Sequence, residues 1–62
     1  MVNFENLTSD KGVLQAICEV RTIRQRMMNG THTRMDTVLL ARRLQLISKS
    51  TNSQRIMQVL FL

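Results

Sequence analysis

Cys18 and His32 are the chain's one thiol and one imidazole, and Glu5, Asp10, Glu19 and Asp36 are its four acids. A cysteine nucleophile needs a base within hydrogen-bond reach. Cys18 falls in the middle of a predicted helix and His32 in the turn that follows it. At about 1.5 Å per residue they stand roughly 18 Å apart along the axis. No two of the acids have the spacing that would set paired carboxylates on one helix face. One Cys with one His cannot close a structural zinc site, and the lone Cys cannot form an internal disulfide. No glycine-rich phosphate loop is present. This inventory predicts a protein that is not an enzyme and carries no cofactor or metal. Cys18 reads as a small apolar residue at the edge of a core stripe, and His32 as a solvated turn residue.

A different residue set points to recognition. Thr51, Gln54, Arg55 and Gln58 recur at the steps of three and four that share a helix face. Arg pairs bidentately with guanine and Gln with adenine, so this face has the donors and acceptors for reading base edges. Arg34, Arg42, Arg43 and Lys49 are the candidates for phosphate contacts. The charge is lopsided in the same direction. Residues 1–20 carry three acids against Lys11, a net of −2, whereas residues 21–62 carry seven Arg and Lys49 against Asp36, a net of +7, which together make the +5 of the chain. A field of that sign attracts nucleic acid, acidic protein surfaces or lipid head groups. The preference for Arg over Lys favours planar contacts with phosphate, carboxylate or guanine. No apolar run approaches the roughly 20 residues that span a membrane. DNA or an acidic protein surface is therefore the expected partner, and a membrane is not.

Helices must position these groups. Proline is absent and only Gly12 and Gly30 interrupt the chain, so helices meet little opposition. The first is predicted from about Asp10 to Asn29, capped by Thr8, Ser9 or Asp10. Val13, Ala16, Ile17, Val20, Ile23 and Met27 form one stripe, widened by Leu14 and Met28, with Lys11, Gln15, Glu19, Thr22 and Arg26 on the opposite face. Asn29-Gly30 supplies the left-handed stop. A second helix is predicted from Thr33 to about Ile47 or Ser48, opened by a capping box between Thr33 and Asp36. It carries apolar residues on several sides: Met35, Leu39 and Leu46; Leu40, Leu44 and Ile47; Val38 and Ala41. A third runs from about Asn52 to the end, with Thr51 and Gln54 as a further capping box and Ile56, Met57 and Leu60 facing inward. Val2, Phe4 and Leu7 belong to a short strand or an irregular arm. The five methionines read as gap-fillers of the core. Arg24, on the apolar side of the first helix, is expected to meet Asp36.

The stretch "VLLARRLQLISKSTNSQRIMQVL" resembles the two-helix core of helix-turn-helix DNA-binding proteins over residues 38–60. The resemblance makes Ala41 the small packing residue, Leu40 and Leu44 the apolar anchors and Leu46 the apolar residue past the turn. It makes "SKSTNSQRI" the turn and the start of a recognition helix. Gln45 stands where a turn glycine is common in that family, and Asn52 near a position that is usually apolar. The function it implies is transcription regulation by DNA binding. The second reading is a helical regulator that dimerises and docks on a partner protein. Small bacterial sporulation phosphatases resemble the chain in that outline, but their Ser-x-x-x-Asp signature would fall on Ala41 and Gln45, so their activity does not carry over.

The expectation for the whole chain is a single small all-α domain, residues 1–62: an antiparallel helical hairpin plus a short third helix. Sixty-two residues lie near the lower limit for a self-sufficient core. A homo-oligomer, a dimer by preference, is therefore expected, with Leu39, Leu40, Leu46 and the tail Val59, Leu60, Phe61 and Leu62 at its interface. The opening "MVNFENLTSD" lacks the cationic and apolar regions of a signal peptide, from which a cytoplasmic location is expected.

Overall fold

The computed structural model describes residues 4–61. Val2 of the expected arm and Leu62 of the expected interface lie outside them. The fold is all-α. A 3-10 turn at Phe4–Asn6 precedes three helices, α1 (Lys11–Met28), α2 (Arg34–Ser48) and α3 (Ser53–Leu60), and no strand occurs among the described residues.

Both ends of α1 and the start of α2 have a local cause. The Gly12 amide donates to Asp10 Oδ1 at 2.9 Å, which starts α1. At its other end Gly30 takes φ +71°, and the Thr31 and Gly30 amides donate to the carbonyls of Arg26 and Met27. This pair of bonds is the Schellman arrangement, which needs a residue at ease in the left-handed region. The box that opens α2 is reciprocal: Asp36 N–H donates to Thr33 Oγ1 and Thr33 N–H to Asp36 Oδ2.

The expected box at α3 does not form. Asn52 itself occupies the cap position with φ 64°, and its side chain makes no hydrogen bond to the α3 amides. Thr51 is thereby displaced one residue outside the helix. Asn52 Nδ2 instead donates to the Leu7 carbonyl at 3.0 Å and ties the α2–α3 turn to the N-terminal arm.

The α1 and α2 helices run antiparallel, as two ion pairs across their seam record. Arg26 Nη1 lies 3.0 Å from Asp36 Oδ1, and Arg43 Nε pairs with Glu19 Oε2. In both pairs the residue numbers sum to 62, so as α1 advances α2 retreats in step. Both pairs lie on one side of the seam, and α3 packs on the other. There Ile17 and Val20 from α1, Ile47 from α2 and Ile56 from α3 meet as the most deeply buried side chains. Phe4, Leu7, Leu40, Leu44 and Met57 pack around them half-buried.

Several side chains depart from expectation, each for a geometric reason. Met27, Met28 and Met35 are exposed, because they flank the hairpin tip beyond the reach of the short α3. Cys18 is also exposed; one position past Ile17, it turns about 100° out of the core stripe. Ala41 is exposed as well, and the small residue buried in the core is Ala16 of α1. Arg24 does not reach Asp36, since it projects about 160° around α1 from Arg26. It donates instead to the Leu60 carbonyl and lies over the Phe61 ring.

Candidate nucleic-acid interface

The outward surface of α2 is set by helical phase. At about 100° per residue, Arg34, Gln45, Val38, Lys49 and Arg42 fall within an arc of about 80°, facing away from the core. Arg34, Arg42 and the capping Lys49 are all exposed. They extend over about 22 Å of the helix.

α3 lies beside the end of α2. Its buried line is Ile56 and Leu60, so Gln54, Arg55 and Gln58 come out on the opposite side, all exposed. Thr51 is exposed in the turn beside them. A cleft of about 490 Å³ between the end of α2 and α3 is lined by Ser48, Ser53, Gln54, Met57 and Gln58, which brings the α3 amides next to the α2 flank.

Arg43, expected among the phosphate contacts, is placed elsewhere. It lies about 100° around α2 from Arg42 and pairs with Glu19 at the seam. The apolar candidates also divide. Leu46 is exposed and Leu39 half-buried on the seam side. Leu40 is half-buried against its own core, and Leu60 is buried within it. Val59 is half-buried, and Phe61 is exposed beneath the Arg24 guanidinium.

Acids are withdrawn from this surface. Asp36 is the one acid in residues 21–62, and it is buried. The Thr33 amide is the main cause that holds its carboxyl below the usual carboxylate range, burial opposes this, and Arg26 adds to the lowering. Sequence reasoning missed the Arg26–Asp36 and Glu19–Arg43 pairs. The signal was available in the constant sum of residue numbers across an antiparallel hairpin.

No protein-family model matches the chain, and neither a curated protein nor a solved structure matches it. No helix among the described residues is long and apolar enough to cross a membrane.

Proposed function

We propose that the protein binds double-stranded DNA through the combined outer surface of α2 and α3 and acts as a small regulator. The observation that supports this reading is the segregation of charge. The two acids on α1 and α2 that could neutralise the basic half, Glu19 and Asp36, are engaged by Arg43 and Arg26 at the seam. Arg34, Arg42, Lys49 and Arg55 then stand exposed on α2 and α3 with no exposed acid among them. In this reading Arg34, Arg42 and Lys49 take phosphates, while Gln54, Arg55 and Gln58, with Thr51 at the turn, meet base edges. The first α3 amides, which the Asn52 side chain leaves uncapped, add a partial positive charge beside Lys49.

Two substitutions separate the roles. Arg42→Ala weakens binding to every duplex alike and flattens the salt dependence by about one unit. Arg55→Ala costs about 1–3 kcal/mol on a preferred site and little on random duplex. Met35 and Val38, exposed beside Arg34 and Arg42, favour the second reading, an acidic protein surface. That reading gains if Arg42→Ala leaves duplex binding unchanged.

A further inference from the structure

The side of the α1–α2 seam away from α3 is uncovered, and we infer that a second copy of the chain covers it, α1 of each copy lying over α2 of the other. The inference goes beyond DNA binding and uses a different face, so either can fail without the other.

The first observation is a charge pattern that complements itself. Glu19 and Arg26 sit two turns apart on α1, about 10 Å along the axis, and face Arg43 and Asp36 on α2. With antiparallel helices about 8–10 Å apart, these four groups mark the corners of a near-square with alternating signs. A half-turn about an axis in that plane, parallel to the helices, lays each corner on one of opposite sign. Glu19 meets Arg43 of the second copy, and Arg26 meets its Asp36. Glu19 and Arg43 keep 38 and 37% of their side-chain surface exposed, so this corner is free to make the second contact. Arg26 keeps 51% but Asp36 only 8%, so the other corner adds complementary charge without a second hydrogen bond.

The second observation is steric. The accessible large apolar residues on this side, Leu39 and Leu46, come from α2, whereas α1 offers the exposed Gln15, Cys18 and Thr22, with Ala16 and Ile23 buried. Depressions of about 300 Å³ beside Leu39 and about 250 Å³ beside Leu46 flank the Glu19–Arg43 pair. In the register that sums to 62, the same half-turn brings Leu39 of one copy over Thr22 and Ile23 of the other. Leu46 comes over Gln15 and Ala16. On each half a leucine of α2 thus lies over a buried apolar residue of α1 with a polar neighbour, Ile23 with Thr22 and Ala16 with Gln15. The half-turn makes each contact twice, as an isologous interface requires. A standard interface of about 800 Å² per partner would take about one sixth of the chain's 4782 Å².

Size-exclusion chromatography with light scattering, without DNA, tests this. The wild type is expected at twice the 7.2 kDa chain mass. Leu46→Asp, at an exposed position that the fold does not need, is expected at the single-chain mass with its helical far-ultraviolet spectrum retained. Val38→Asp, equally exposed but on the outward face of α2, keeps the dimer. Arg43→Glu alone dissociates it, and adding Glu19→Arg restores it, because both the internal and the intermolecular pair are re-formed with signs exchanged. A wild type that stays at the single-chain mass overturns the inference. So does a Leu46→Asp variant that remains dimeric. A folded but monomeric double variant overturns the α1-over-α2 arrangement, since stacking α1 on α1 would put cations face to face. If Leu46→Asp fails to fold, the charge exchange decides alone.

Discussion

Arg26 reaches Asp36 across the hairpin tip at 3.0 Å, while Asp36 also accepts from the Thr33 amide at 3.1 Å. One carboxylate thus closes the first turn of α2 and fastens that turn to the end of α1. The register of the hairpin, and with it the outward direction of Arg34 and Arg42, follows from this shared group.

Its titration gives the first prediction. The carboxyl is held below the usual range, chiefly by the Thr33 amide and then by Arg26 against the opposing effect of burial. A depressed native value means that the ionised form stabilises the fold. That stabilisation is fully present above the ordinary carboxylate range and is lost as pH falls through it towards the lower native value. Melting temperatures followed from neutral to acid pH should fall in this window. Asp36→Asn should start lower and show a shallower fall.

The other half of the same box is tested by Thr33→Ala, which removes the hydroxyl that accepts from the Asp36 amide. Loss of such a cap costs about 0.5–2 kcal/mol, and in a domain of this size each kcal/mol lowers Tm by about 4–8 °C. Thermal unfolding followed by circular dichroism checks this. An unchanged Tm would mean that the box does not hold the start of α2.

Core truncation should be near the limit that the chain tolerates. Ile47 and Ile56 are fully buried where α1, α2 and α3 meet. Ile→Ala at such sites costs about 2–5 kcal/mol, against a total of about 3–9 kcal/mol for 62 residues. Either variant is expected to lose most of its helical signal or melt at low temperature. Leu46→Ala, at an exposed position, should melt close to the wild type when both are compared as monomers.

Much of this fold could be read from residue order because its determinants are local. The caps at Asp10 and Thr33, the stop at Asn29-Gly30 and the stripe from Val13 to Ile23 each depend on neighbours within one or two turns. The exposed set Gln54, Arg55 and Gln58 follows from the inward line of Ile56 and Leu60. What stayed hidden depends on how far one helix reaches along another. The eight-residue α3 stops short of the hairpin tip, which leaves Met27, Met28 and Met35 in solvent. Arg24 and Arg26 stand on different sides of α1 by phase, but which partner each meets depends on where α2 and α3 pack. Their different angles around α1 send one to Leu60 and the other to Asp36. The same phase argument removes Arg43 from the outer face and leaves Arg42 on it.

Arg24 carries a prediction about α3. Its guanidinium donates to the Leu60 carbonyl and covers the Phe61 ring, so it ties the end of α3 to α1. Arg24→Met keeps the apolar stem and removes both contacts. Hydrogen exchange at the amides of residues 57–61 should quicken while that of α1 stays near the wild-type rate. Equal acceleration in both helices would mean that Arg24 supports the whole core.

Backbone conformation makes a fifth case. Gly30 and Asn52 both occupy the left-handed region, which costs an ordinary residue about 1–2 kcal/mol. Gly30→Ala should destabilise by about that amount although no atom crowds the new methyl. Asn52→Gly, by contrast, should leave the turn geometry in place, its loss confined to the Leu7 hydrogen bond. Urea unfolding of the two variants in parallel measures the difference.

The central claim, that the outer surface of α2 and α3 meets the phosphate backbone, is tested most directly by titrating the protein into a random DNA duplex at several salt concentrations. If Arg34, Arg42 and Lys49 each neutralise one phosphate, the logarithm of the binding constant falls against the logarithm of salt with a slope of about −2.7 per chain. Each replacement by Gln reduces that slope by about 0.9, and Arg43→Gln leaves it unchanged. Absence of binding at low salt, or a slope indifferent to the combined replacement of Arg34, Arg42 and Lys49, contradicts the account.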